Sequence, residues 1–222
     1  MKSVGSVLSM PPSFEELRVE YQSAPLELSD LDPDPFVQLS RWIDAAVSAG
    51  VEEPNAFILA TSGDDGRPAA RALLLKELTP DGLVFFTNYR SRKAAELAAN
   101  PQASAVFMWV PIRRQVRVEG SVEKVAPEVS DEYFASRPLE ARLASAASPQ
   151  SEVVESRRRL EEALEELRQA HPDGDVPRPA HWGGYRLIPD YFEFWQGREA
   201  RFHDRFRYLP SQAGWRIERL AP

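Results

Sequence analysis

At Ala56 the apolar residues of this chain stop recurring at helical spacing, and from there strand patterns dominate. Ahead of that point Asp34 and Pro35 form an N-cap and first-turn pair. Phe36, Leu39, Ile43 and Val47 then share one helical face until Gly50 stops the run. Beyond it, AFILAT, the turn GDDGRP, AARALLLKEL, the turn TPDG and GLVFFTN predict two β-hairpins in series. SRKAAELAAN predicts a short helix with Ser91 as N-cap, and QASAVFMWV a buried strand. RRQVRVEGSVEKV alternates, with Val116, Val118 and Val122 on one face and Gln115, Arg117 and Glu119 on the other; Gly120 marks a bulge or a close backbone approach.

PEVSDEYFASRP and SPQSEVVESRRRLEEALEELRQAH predict helices, the second with Val153, Leu160, Leu164 and Leu167 on one stripe, and HPDGDVPRP predicts a loop. The tail returns to strands in GGYRLI, YFEFWQ, ARFHDRFRY and WRIERL. The economical architecture is mainly β within the α+β class: one antiparallel barrel decorated with helices. Residues 1–33 are Pro-, Ser- and acid-rich and predict a mobile arm with a short helical candidate from Phe14 to Tyr21, leaving 34–222 as a single domain.

A net charge of -7 gives no positive field for coating nucleic acid, and the absence of Cys excludes disulfides, thiolate catalysis and Cys-ligated zinc. No apolar run approaches the roughly 20 residues of a membrane span, and MKSVGSVLSMPPS lacks a signal peptide's basic start and apolar core, so the expectation is a soluble, cytoplasmic protein. His171, His181 and His203 are scattered. There is no HExxH, GxGxxG, Walker or GxSxG sequence, which disfavours metal hydrolysis and a Rossmann nucleotide site, and no metal is expected.

Three clusters carry possible chemistry. In a strand, Arg201, His203, Arg205 and Arg207 would share one face beside the aromatics Tyr191, Phe192, Phe194 and Trp195, suiting a flat anionic ring system; an outer face balanced by Asp and Glu is the alternative. Ser91-Arg92-Lys93, where a strand meets a helix, suits a phosphate monoester, with Thr87 adding a hydroxyl; ordinary capping and solvated charge is the alternative. Arg71 and Lys76 bracket an apolar strand in a chain with four Lys against twenty-three Arg. Trp182-Gly183-Gly184 reads as a turn with a packed indole.

Glu193-Phe-Trp-Gln-Gly-Arg-Glu-Ala-Arg-Phe-His-Asp-Arg205 closely resembles the C-terminal signature of the pyridoxine (pyridoxamine) 5'-phosphate oxidase family. Further matches follow in family order from Arg18–Tyr21 through Arg71–Lys76, Ser91–Lys93, Tyr133–Pro138 and Gln150-Ser151 to Trp182–Gly184. The resemblance implies a homodimeric FMN-binding split barrel with flavin at the subunit interface. It would oxidise pyridoxamine or pyridoxine 5'-phosphate to pyridoxal 5'-phosphate, with O2 as acceptor and hydrogen peroxide released. Carried over by position, the FMN contacts are Arg71, Ala72, Leu73, Leu74, Leu75, Lys76, Phe86, Thr87, Arg92, Lys93, Gln115, Gln150, Ser151, Trp195 and Arg205. By the same mapping Lys76, Tyr133 and Arg137 surround the substrate phosphate, Arg201, Phe202 and His203 meet its ring with Arg201 and His203 catalytic, and Arg18, Val19, Glu20 and Tyr21 form a lid.

This chain departs from the family at Ala141, where a phosphate-binding Ser is usual, at Ala144-Ser145-Ala146 in place of Gly-Ala-Trp, and at Phe86 in place of Tyr. The competing readings are a related flavin oxidase of the phenazine-biosynthesis type and a non-catalytic flavin or pyridoxal-phosphate carrier. A second phosphate pocket at Lys76, Tyr133 and Arg137 argues for the oxidase.

Overall fold

The computed structural model describes residues 13–222 apart from Glu16, Arg18 and Gln22, so the lid assignment of Arg18 lies outside the described residues. Helix α1 (Pro35–Ser48) begins as its sequence dictates, with the Asp34 carboxylate accepting from the Phe36 N–H and proline at N1. Strands β1 (Ala56–Ser62) and β2 (Pro68–Leu74) form the first hairpin, and β3 (Glu77–Thr79) and β4 (Gly82–Asn88) the second. ARALLLKEL is therefore not one strand. Leu75 N–H donates to Asn55 O and Lys76 N–H to Val84 O, so the backbone changes partner within one residue and sends the two hairpins to opposite ends of the sheet.

Helix α2 (Arg92–Ala99), β5 (Gln102–Trp109), β6 (Arg114–Lys124), α3 (Pro127–Ser136), α4 (Leu139–Ala147), α5 (Arg157–Ala170), β7 (Trp182–Gln196), β8 (Asp204–Ser211) and β9 (Gly214–Leu220) complete the chain. All strand pairs are antiparallel, in the order β2-β1-β5-β6-β7-β4-β3, with β8 on β7 and β9 on β8. The β6–β7 register shifts between Glu119 and Gly120, where a Cβ on Gly120 would stand 2.0 Å from Ile188 O, so the bulge requires glycine. Pro189 is tolerated within β7 because it pairs at this break in the ladder.

Alternation sorts the sheet into two faces. Phe57, Leu59, Phe107, Val116, Val118, Phe192, Phe194, Phe206 and Tyr208 are buried and, with Leu39, Trp42 and Ala46 of α1, form the main core. Leu26 and Leu31 also belong to it, and Leu26 N–H donates to Asp204. A second cluster of Phe134, Leu143, Val176 and Trp182 binds α3, α4 and α5 to the sheet end.

Four further expectations fail locally. Among the described residues from Phe14 to Tyr21 there are turns and extended chain, no helix. Residues 148–156 are not helical: Ser148 is extended, as a residue before proline prefers, and Ser151 has φ 76°, so Val153 is off the α5 stripe and fully exposed. LEARLASAA, between the two expected helices, forms a further helix, α4, by burying Leu143. Trp182-Gly183-Gly184 opens β7 opposite Asn88, Thr87 and Phe86 instead of turning. ARFHDRFRY becomes a strand only at Asp204, since Ala200 (φ 51°) and Arg201 (φ 61°) are left-handed, which removes Arg201 and His203 from the shared strand face.

Candidate active site

The Ser91-Arg92-Lys93 cluster folds around a carboxylate that sequence reasoning missed. Glu96 accepts from Arg92 Nε at 2.7 Å, from Arg71 Nη2 at 2.9 Å and from Thr61 Oγ1 at 2.5 Å. Burial would raise this carboxyl, but the hydrogen bonds from Thr61, Arg92 and Arg71 outweigh it and hold it below the ordinary carboxylate range. The i,i+4 spacing of Arg92 and Glu96 was the available signal.

Lys93 is left without a carboxylate in ion-pair range among the described residues. It is 7 % exposed, and its ammonium donates only to neutral acceptors: Gln150 Oε1 at 2.8 Å, Thr87 Oγ1 at 3.0 Å and Ser91 Oγ at 3.1 Å. Burial, with the nearby Arg71 cation and against the pull of Glu96, lowers its pKa to about 8. Ser91 occupies the N-cap position of α2, yet its hydroxyl donates to Asn88 O instead of capping.

Thr87 and Gln150 also line a cleft of about 550 Å3 with Leu73, Lys76, Phe86, Tyr133, Arg137 and Ser145. One wall is an aromatic stack in which Phe86 lies 4.0 Å from Tyr133 and 5.3 Å from Trp182, centroid to centroid. Trp182 is thus both a packed indole and a cleft wall, with the Arg137 guanidinium 4.7 Å above it. Ser151 is exposed beside the cleft in a left-handed turn.

The Arg71–Lys76 segment divides. Arg71 opposite Leu59 and Leu73 opposite Phe57 lie on the core side, Leu75 is buried, and Ala72 and Leu74 turn outward. The outward face continues through cross-strand pairs Ala72↔Ile58, Ile58↔Val106, Met108↔Gln115, Gln115↔Trp195 and Trp195↔Arg205. Ile58 is 43 % and Met108 64 % exposed, so an apolar strip borders the predicted cofactor residues Gln115, Trp195 and Arg205. Arg205 Nε and Arg117 Nη2 both lie 2.8 Å from the buried Glu193 carboxylate, and Arg207 pairs with Glu218, so the expected cationic row is balanced by acids. Burial would raise the Glu193 carboxyl, but hydrogen bonds from Arg205 and Tyr191 and the two cations keep it low.

Arg201 and His203 line a different cleft, of about 570 Å3, with Val19, Glu20, Tyr21, Arg113 and Arg198, while Phe202 is exposed. His203 Nδ1 accepts from the Arg198 N–H at 3.0 Å, which leaves Nε2 to carry the proton of the neutral ring. Burial and the adjacent Arg201 cation lower its pKa, against Asp204. The predicted residues therefore form one connected cationic region and one outward sheet face, which the Arg-His cleft adjoins where the His203 ring lies 4.6 Å from Trp195. Among the described residues no His, Asp and Glu cluster suits a metal, and no helix is long and apolar enough to cross a membrane.

Comparison with known proteins accords with this arrangement. Residues 43–171 match the family described as Pyridoxamine 5'-phosphate oxidase, and 182–222 match the Pyridoxine 5'-phosphate oxidase C-terminal dimerisation region. The chain is 51 % identical over 213 residues, 95 % of its length and 99 % of the relative's, to the pyridoxine/pyridoxamine 5'-phosphate oxidase of Burkholderia vietnamiensis (strain G4 / LMG 22486). It is 53 % identical over 211 residues, again 95 % and 99 % of the two chains, to that of Paraburkholderia phymatum. A crystal structure of PhzG from Burkholderia lata 383, in complex with tetrahydrophenazine-1-carboxylic acid, superposes with a TM-score of 0.84 at 31 % identity, covering 90 % of this chain and 99 % of that one. With a split-barrel fold and near full-length likeness at this level, the chain belongs to the pyridoxine/pyridoxamine 5'-phosphate oxidase family, a family of oxidoreductases.

Proposed function

We propose that the protein oxidises pyridoxamine or pyridoxine 5'-phosphate to pyridoxal 5'-phosphate with FMN as cofactor and O2 as acceptor, releasing hydrogen peroxide. The observation that carries this reading is the presence of two anion-seeking groups on one connected region: Lys93, buried among neutral acceptors, and the Lys76-Tyr133-Arg137 set across the cleft. A buried ammonium with no carboxylate in ion-pair range among the described residues suits a phosphate monoester, and a second cationic set lining the adjoining cleft suits a phosphorylated substrate beside a phosphorylated flavin. FMN fits the donor set: Lys93 and the α2 start, supported by Thr87, Gln150, Arg71 and Arg92, would hold its phosphate, and Gln115, Trp195 and Arg205 would border its ring.

When bound, FMN supplies the two-electron acceptor that O2 regenerates. Lys76, Tyr133 and Arg137 bind the substrate phosphate. Arg201 and His203 orient the substrate ring. Because those two line another cleft of the same protomer, they would reach the substrate from the partner subunit, through a homodimer built on the outward face of β1, β2 and β5. Neutral His203 presents an Nε2 donor fixed by the Arg198 backbone, and positioning is its main contribution.

The likeness to PhzG favours one other reading, a flavin oxidase acting on a phenazine precursor, for which Lys76 and Arg137 have no phosphate to meet. Anaerobic addition of pyridoxamine 5'-phosphate separates the two. Bleaching of the yellow protein, followed by peroxide release on admitting air, is the expected result, and colour that persists at millimolar substrate refutes the proposal.

A further inference from the structure

The Arg137 guanidinium has no carboxylate partner among the described residues, and its Nη1 donates instead to Ser145 Oγ at 2.8 Å. Both residues line the cleft that holds Lys76 and Tyr133. Serine in a helix commonly donates back to the carbonyl four residues earlier, here Ala141, but no such bond forms among the described residues. The hydroxyl is turned to the guanidinium, its oxygen accepts from a cation, and its own proton stays available to a further acceptor in the cleft. Ala141 lies one helical turn earlier on α4, lines the same cleft and offers only a methyl group.

We infer that Ser145 is a specificity-determining ligand of the substrate's phosphate, donating its hydroxyl proton to a phosphate oxygen while holding Arg137 in position. The inference rests on the reading of this cleft as the substrate-phosphate site. A fixed guanidinium and a hydroxyl polarised by it present donors from two directions to one tetrahedral anion, while Lys76 adds a point charge. Phosphate is bound alike in ground and transition states, so the contribution falls on KM.

The test uses the FMN-loaded enzyme with pyridoxamine 5'-phosphate, unphosphorylated pyridoxamine, and inorganic phosphate as competitor. Ser145→Ala should raise KM for the phosphorylated substrate roughly tenfold, with kcat within about twofold, and weaken competition by inorganic phosphate by a similar factor. The constants for unphosphorylated pyridoxamine should not move. Ala141→Ser in the Ser145→Ala background, which returns a hydroxyl to the same helix face one turn away, should recover most of the loss. An unchanged KM in Ser145→Ala, or an equal rise for both amines, would overturn the assignment and leave Ser145 a packing residue. A wild-type enzyme indifferent to the substrate's phosphate and to inorganic phosphate would instead overturn the reading of the cleft itself.

Discussion

Raising the pH from 7 to 9 should cost the protein about tenfold in FMN affinity through one side chain. Lys93, with its pKa lowered to about 8, is about 90 % charged at pH 7 and about 10 % at pH 9, whereas an ordinary lysine would stay charged throughout. A flavin phosphate, doubly charged above pH of about 6, raises the pKa of the ammonium it meets, so binding at pH 9 must first reprotonate Lys93. That costs about 1.4 kcal/mol, one decade in affinity. The apoprotein responds with the opposite sign: between pH 8 and 10.5 the unfolded chain keeps the proton that folded Lys93 sheds, so this group adds stability as pH rises. Fluorescence titration of apoprotein with FMN at fixed ionic strength measures the first effect, and urea unfolding the second. Lys93→Met should bind FMN weakly and lose most of the pH dependence over this window. A wild-type affinity that is flat from pH 7 to 9, or a Lys93→Met variant with the same slope as wild type, refutes the assignment of the flavin phosphate to Lys93.

Arg201→Ala should keep its flavin and lower kcat/KM for pyridoxamine 5'-phosphate at least a hundredfold, because a misplaced ring loses proximity; wild-type flavin reduction at saturating substrate in stopped flow would refute the role. Lys76→Ala and Arg137→Ala should act chiefly on KM, and a fall in kcat alone would count against phosphate binding. Met108→Asp puts a charge on a side chain 64 % exposed in the protomer, so it should spare folding but dissociate the dimer and release FMN, as light scattering and flavin absorbance would report. Gly120→Ala forces a Cβ to 2.0 Å from Ile188 O and 2.8 Å from Ile188 C, both backbone, and should lower stability by about 2–4 kcal/mol, or Tm by roughly 5–15 °C. A shift under about 2 °C would mean that the bulge relaxes freely.

Much of the fold was legible because period is a local property. The extent of α1 from Asp34 to Gly50, the alternation of Val116, Val118 and Val122, and Gly120 at the bulge all follow from residues read a few positions apart, although the buried α1 stripe runs through Leu39, Trp42 and Ala46 and leaves the expected Val47 exposed. The cationic clusters at Ser91–Lys93 and at Lys76 were legible for the same reason: they stand at element ends. The sequence alone did not determine which partners those cations would meet. Arg92 meets Glu96 by local helix spacing, but Arg71 and Thr61 reach Glu96, and Arg117 and Arg205 reach Glu193, across separations that only the tertiary structure closes. The register, together with the change of partner at Leu75 and Lys76, sends Ala72 and Leu74 outward and Arg71 inward. Left-handed backbone at Ala200 and Arg201 bends the chain before β8, although the run Arg201-Phe-His-Asp-Arg alternates as a strand would. Local pattern thus determined which faces are apolar and where charge accumulates. Long-range pairing decided which charges are neutralised and which, like Lys93, are buried without an ion-pair partner among the described residues, because that cost depends on neighbours that no short window contains.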